Sequence, residues 1–198
     1  MSKEVAQAFE LRGLSAILSE SDFVDGSLRE FVWRRNFGWH RASTTTTSSC
    51  QVDRDNMGHY SPVDNSQIVQ FLDHAVGSMF SSPAYWNGTV YLAGQVNGLQ
   101  SFSISNGLLT PASQAGPTCC MHVPSISANG TREAIVWIVD SSTLVAFDAR
   151  DLTHKLYTSK QAGTRDLLGT TAHFNAPTIT NGKVYVGADL QLAVYGLL

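Results

Sequence analysis

The residues that could carry chemistry are few, and they stand apart. Cys119 and Cys120 are adjacent in "QAGPTCCMHVPSI", and Cys50 is the only other cysteine of the 198-residue chain. Three cysteines are too few for a disulfide framework, and they lack the paired spacing of a zinc site. The stretch "DRDNMGHYSPVD" offers Asp53, Asp55 and Asp64 around Gly58, faintly like a calcium loop. Met57 falls where an oxygen ligand is needed, however, and the closing residue is an aspartate, so a turn after a strand is the better reading of Asp53 and Asp55. The six histidines, His40, His59, His74, His122, His154 and His173, show no HExxH or other metal spacing. No GxSxG elbow, GxxxxGK[ST] loop or GxGxxG turn occurs, so hydrolysis and nucleotide chemistry have no motif behind them. Tyr85 and Trp86, just before an Asn-Gly turn, are candidates for an exposed binding rim, with packing between sheets as the alternative.

These side chains would be positioned by a unit that occurs three times. "SPAYWNGTVYLAGQVNGLQSFS" from Ser82, "VPSISANGTREAIVWIVDSSTLVAFD" from Val123 and "APTITNGKVYVGADLQLAVYGLL" from Ala176 align. Each carries a proline near its start (Pro83, Pro124, Pro177) and a glycine turn five or six residues later (Gly88, Gly130, Gly182). A triplet with a central aromatic follows at Val90-Tyr91-Leu92, Val136-Trp137-Ile138 and Val184-Tyr185-Val186. Next come Leu99, Leu144 and Leu192, each three residues before a second aromatic, Phe102, Phe147 and Tyr195.

Proline has no backbone donor and fits the start of a strand, and Asn-Gly accepts the positive φ of a primed hairpin turn. Unbroken apolar triplets imply sheets covered on both faces. Lys155-Leu156-Tyr157 reads as a fourth strand in the second copy, and Leu108-Leu109 more faintly in the first. The starting prolines lie 41 and 53 residues apart, a period that points to propeller blades. The fold expected is therefore all-β: a partial β-propeller of about three to four four-stranded antiparallel blades. Its blade tail would span 51–80 and its blades 81–115, 122–160 and 175–198.

Residues 1–50 do not join this pattern. Val5, Ala8, Phe9 and the run Arg12 to Leu18 read as a short amphipathic helix interrupted near Gly13, within a weakly ordered leader that ends in the polar tract Thr44 to Ser49. The start, MSKEVAQAFELRG, has no apolar run of signal-peptide type, and no stretch reaches transmembrane length. A formal net charge of -3, with charged residues at 15%, provides no basic field for nucleic acid.

The units "NGxVYVG…LxxY" and "VxAFDAxxL", with "DRDNMGHY", "FSSPAYWNGTVYLAG" and "KLYTSKQAGTRD", resemble the PQQ-like, or quinoprotein-type, β-propeller repeat, over about Val52 to Leu198. That family includes quinone-dependent dehydrogenases and non-catalytic scaffolds, so the resemblance implies two functions. The first is a non-enzymatic binding or scaffold module, part of a larger ring, meeting a protein partner or another copy through open blade faces. The second is a fragment of a dehydrogenase for alcohols or sugars. For that reading the resemblance implies pyrroloquinoline quinone and calcium near the axis, with Cys119 and Cys120 as a vicinal pair at the cofactor. The repeats lack the blade-closing tryptophan of those enzymes, and two half-buried link residues beside Met121 is the alternative for the cysteine pair. Relatives with this repeat are mostly exported, which implies a periplasmic or extracellular site for a chain that shows no signal.

Overall fold

The computed structural model describes residues 8–11, 14–17, 29–32, 49–53, 68–72, 75–76, 81–94, 97–116 and 122–196. Among them there is no helix. The strands form antiparallel sheets in which sequence neighbours pair.

The first four-stranded sheet runs β6 (Ala84–Trp86), β7 (Thr89–Gly94), β8 (Gly98–Ser105) and β9 (Leu108–Gln114). The second repeats it with β10 (Ser125–Asn129), β11 (Arg132–Asp140), β12 (Thr143–Asp148) and β13 (Lys155–Thr158). The last has three strands, β14 (Thr178–Thr180), β15 (Lys183–Ala188) and β16 (Gln191–Tyr195). Pro83, Pro124 and Pro177 each stand one residue before the first strand of a sheet, where a missing N–H costs no ladder bond.

The turn chemistry holds at three places and changes at one. Asn87-Gly88, Asn106-Gly107 and Asn181-Gly182 all have positive φ at both residues, as a primed two-residue turn demands. In the second sheet Asn129 stays in its strand opposite Arg132, and the register shifts between Ser127 and Asn129. The turn there consists of Gly130-Thr131, with a left-handed φ at Gly130 and a second one at Glu133.

Side chains alternate between the two faces, and each face meets a neighbouring sheet. Val90, Leu92, Phe102 and Leu109 pack with Leu72 and Val76 on one side of the first sheet. On its other side, Tyr91, Ala93 and Leu99 pack with Val136, Ile138, Val145 and Phe147 of the second sheet. The second sheet's reverse face, with Trp137, Val139 and Leu144, packs with Val184, Val186, Ala193 and Tyr195 of the last. The first strands β6, β10 and β14 neighbour one another in turn. Polar bonds tie the stack: the buried Tyr91 hydroxyl donates to the Ala149 carbonyl at 2.7 Å, and the Trp86 indole donates to the Gly130 carbonyl at 2.9 Å.

The upstream residues differ from the sequence expectation. Ala8–Leu11 (β1) and Leu14–Ile17 (β2) pair antiparallel, where the apolar spacing pointed to a short helix. Leu11 stands opposite Leu14. Arg29–Val32 (β3) joins Ser49–Asp53 (β4) and Ile68–Leu72 (β5) in a three-stranded sheet, so strand pairing reaches upstream of residue 50. Asp53 closes β4. Asp55, Gly58 and Asp64 lie outside the described residues. No helix among the described residues is long and apolar enough to cross a membrane.

Candidate interaction surface

The repeat makes its three leucines equivalent, and the structure treats them unequally. Leu99 pairs with Ala93, Leu144 with Val139 and Leu192 with Gly187, each close to the turn between the second and third strands. Leu99 and Leu144 are fully buried because the next sheet covers them. Leu192 is 64% exposed. The last sheet turns its Val184, Val186, Ala193 and Tyr195 face to the second sheet, and alternation puts Tyr185, Gly187, Leu192 and Val194 on the other face. Val194 is 50% exposed, and Leu190, in the connecting turn with φ 56°, is fully exposed. Two aliphatic side chains, Leu192 and Val194, are therefore open on one face of β16, next to the exposed Leu190 of the turn.

The link before this sheet is held by a compact polar group. The Arg165 guanidinium donates to both carboxylate oxygens of Asp166, at 2.6 and 2.9 Å, and the Tyr157 hydroxyl donates to Asp166 at 2.8 Å. The Tyr195 hydroxyl donates to the Asp166 backbone carbonyl at 2.9 Å, so one residue joins the second sheet, the link and the last sheet. The bond from Arg165, followed by that from Tyr157, holds the Asp166 carboxyl down at about 2. A carboxyl depressed in the folded state favours folding above its ordinary value of 3.8, and that contribution fades as pH falls towards 2. Asp166→Asn should accordingly melt below the parent at pH 7, and thermal melts from pH 7 down to 2 should show the difference closing at the acid end. A difference that does not vary with pH would contradict this role.

Two of the sequence candidates make packing contacts while staying partly accessible. Tyr85 is half-buried against the Val90 and Phe102 cluster, and its hydroxyl accepts the Gly88 N–H at 2.9 Å. Trp86 is half-buried against the cluster between the first and second sheets. Trp137 packs as its place in the triplet implied, with its indole donating to Ser127 Oγ at 2.9 Å. Cys119 and Cys120 lie outside the described residues.

Just beyond that pair, His122 was not singled out by any motif, yet it is buried. Its Nδ1 lies 2.9 Å from the Val139 carbonyl, an acceptor, which makes Nδ1 the protonated nitrogen and leaves a lone pair on Nε2. Among the described residues that nitrogen has no hydrogen-bond partner, and it lies 3.9 Å from Asp140 Oδ1. Burial pulls the imidazole below its ordinary range, against the opposing effects of the Val139 carbonyl and Asp140. One imidazole nitrogen and one carboxylate fall short of the oxygen set that calcium takes. Among the described residues no three His, Cys, Asp or Glu side chains converge as metal ligands.

No family model matches the chain, and no curated protein is detectably similar to it.

Proposed function

We propose that the chain is a non-enzymatic β-propeller repeat module of the PQQ-like type. It acts as a binding or scaffold surface and forms part of a larger ring. The observation that carries this reading is the exposure of Leu192 where its repeat equivalents Leu99 and Leu144 are covered. Every described sheet-to-sheet junction sets the leucine-bearing face of one sheet against the face of the next that carries a valine on its second strand and an aromatic on its third. The open face of the last sheet is of the leucine-bearing kind, so it suits a further sheet presenting the second kind, from the rest of a ring or from a protein partner. Succession of the first strands β6, β10 and β14 supports blades arranged about an axis.

The mechanism is presentation. Rigid sheets hold the links near His122 and from Ser159 to Phe174, and apolar burial at the open face provides the association energy. Titration with pyrroloquinoline quinone and calcium, following cofactor absorbance and dye reduction with alcohols or sugars, tests the non-enzymatic reading. Folded protein is expected to show neither saturable binding nor turnover. Saturable binding, with turnover lost in Cys119→Ser/Cys120→Ser, would overturn it in favour of a quinoprotein dehydrogenase fragment.

A further inference from the structure

The chain holds five Asn-Gly pairs, with asparagine at 87, 97, 106, 129 and 181, and the fold gives them unequal surroundings. Asparagine before glycine carries a reaction of its own. The glycine nitrogen attacks the side-chain carbonyl carbon, the new N–C bond closes a succinimide ring, and the carboxamide nitrogen leaves as ammonia. The glycine amide proton passes through solvent to the departing ammonia. Water then adds to one ring carbonyl and breaks its bond to the ring nitrogen. Opening at the side-chain carbonyl gives aspartate, and opening at the main-chain carbonyl gives isoaspartate. No oxidant or reductant is consumed.

The reaction needs an exposed carboxamide that can turn, a glycine N–H not held elsewhere, and a backbone that lets the nitrogen approach Cγ. Asn87, Asn106 and Asn181 fail the last condition, because each has a left-handed φ, of 46°, 51° and 50°. With the ψ that belongs to that region, the following nitrogen stands almost opposite Cβ, nearly as far from Cγ as rotation allows. At Asn87 the Gly88 N–H is also committed to the Tyr85 hydroxyl, at 2.9 Å. Asn97 escapes the left-handed region but is half-buried, its carboxamide donates to the Ala75 carbonyl at 2.8 Å, and Gly98 is buried.

Asn129 differs on each count. It ends β10 with an extended backbone, at the register shift between Ser127 and Asn129, and Asn129, Gly130 and Thr131 are all exposed. Its carboxamide donates to the exposed Glu133 carboxylate at 3.4 Å, long for a hydrogen bond. Gly130 bonds through its carbonyl, which accepts the Trp86 indole at 2.9 Å, and its N–H takes no partner among the described residues. This turn belongs to the second sheet, which is covered on both faces, so its surroundings do not depend on either end of the stack. We propose that Asn129 is a site of spontaneous deamidation, the first of the five Asn-Gly pairs to react while the protein stays folded. The aspartate product sets a second carboxylate beside Glu133 in place of an amide donor. The isoaspartate product adds a methylene to the main chain just before the carbonyl that Trp86 holds, and so disturbs a bond that ties the first sheet to the second.

The test ages the full chain at mildly alkaline pH, well below its unfolding temperature, and follows each asparagine by peptide mapping with fragmentation that reads the sites separately. Isoaspartate is counted independently with an isoaspartyl methyltransferase and a labelled methyl donor. In folded protein Asn129 should convert about tenfold faster or more than Asn87, Asn97, Asn106 or Asn181. In urea, where the fold no longer separates them, the rates at the five sites should converge. Asn129→Ser should remove most of the isoaspartate formed by folded protein and leave the slow sites unchanged. The comparison of folded with unfolded wild-type chain stands whether or not that variant folds. Equal rates at the five sites in folded protein, another site reacting first, or the same ranking persisting in urea would each overturn the proposal.

Discussion

Gly94→Ala is expected to cost about 3 kcal/mol or more of stability, beyond the usual range for adding one methyl group to a packed core. Gly94 is buried at the end of β7 opposite Gly98. A β-carbon there would stand 1.6 Å from the Val76 carbonyl oxygen and 2.6 Å from its carbon. Backbone cannot swing aside as a lysine tip would, so relief requires Ala75-Val76 to move away from the first sheet. Such a movement would pull Val76 out of the cluster it forms with Val90, Leu92, Phe102 and Leu109. For a chain of this length the loss corresponds to a fall in Tm of about 6 to 12 °C. Thermal and urea unfolding check it, and a loss below about 1 kcal/mol would mean that the strand and Val76 are not in contact.

The second large effect belongs to Tyr91, which is fully buried between the first and second sheets. Tyr91→Ala should cost about 3 to 5 kcal/mol, the range for emptying the space of a buried aromatic. Tyr91→Phe keeps the ring and removes the donor to the Ala149 carbonyl, so a loss of about 1 to 3 kcal/mol is expected from that acceptor alone. Burial raises the phenol's pKa, so the bond persists throughout the neutral range. Urea unfolding of both variants separates packing from hydrogen bonding. A Phe variant as stable as the parent would show that the hydroxyl does not hold the two sheets together.

Much of this architecture is legible in the sequence because the signals are local. The prolines at 83, 124 and 177 mark strand starts, and three Asn-Gly pairs mark hairpins, since each acts through its own φ or missing donor. Glu133 shows where that logic stops: in the second sheet, beside a register shift, a second left-handed position follows the one at Gly130, and composition alone does not register bulges. The pairing of Arg29–Val32 with Ser49–Asp53 has no local signature at all. Four residues of mixed character find their partner across a long connection. The hairpin at Ala8–Ile17 was obscured because apolar residues at Val5, Ala8 and Phe9 also fit a helical spacing.

The surface is legible in a more limited sense. Periodicity says that Leu99, Leu144 and Leu192 share one kind of face, and it cannot say whether another sheet lies over each. Only the stack shows that Leu192 stays open while its equivalents are covered. Aromatics beside a turn, such as Tyr85 and Trp86, fit both a rim and a packing role, and the sequence does not show their bonds to Gly88 and Gly130.

Sedimentation velocity across a concentration series, comparing the parent with Leu192→Lys, tests most directly the claim that the face of the last sheet is a binding surface. The parent is expected to associate as concentration rises, because Leu192 and Val194 on that face, and Leu190 in the turn beside it, are apolar and open. A lysine at its centre should leave a folded single chain at every concentration. A parent that sediments as a single chain throughout, or a variant that associates equally well, would contradict the account.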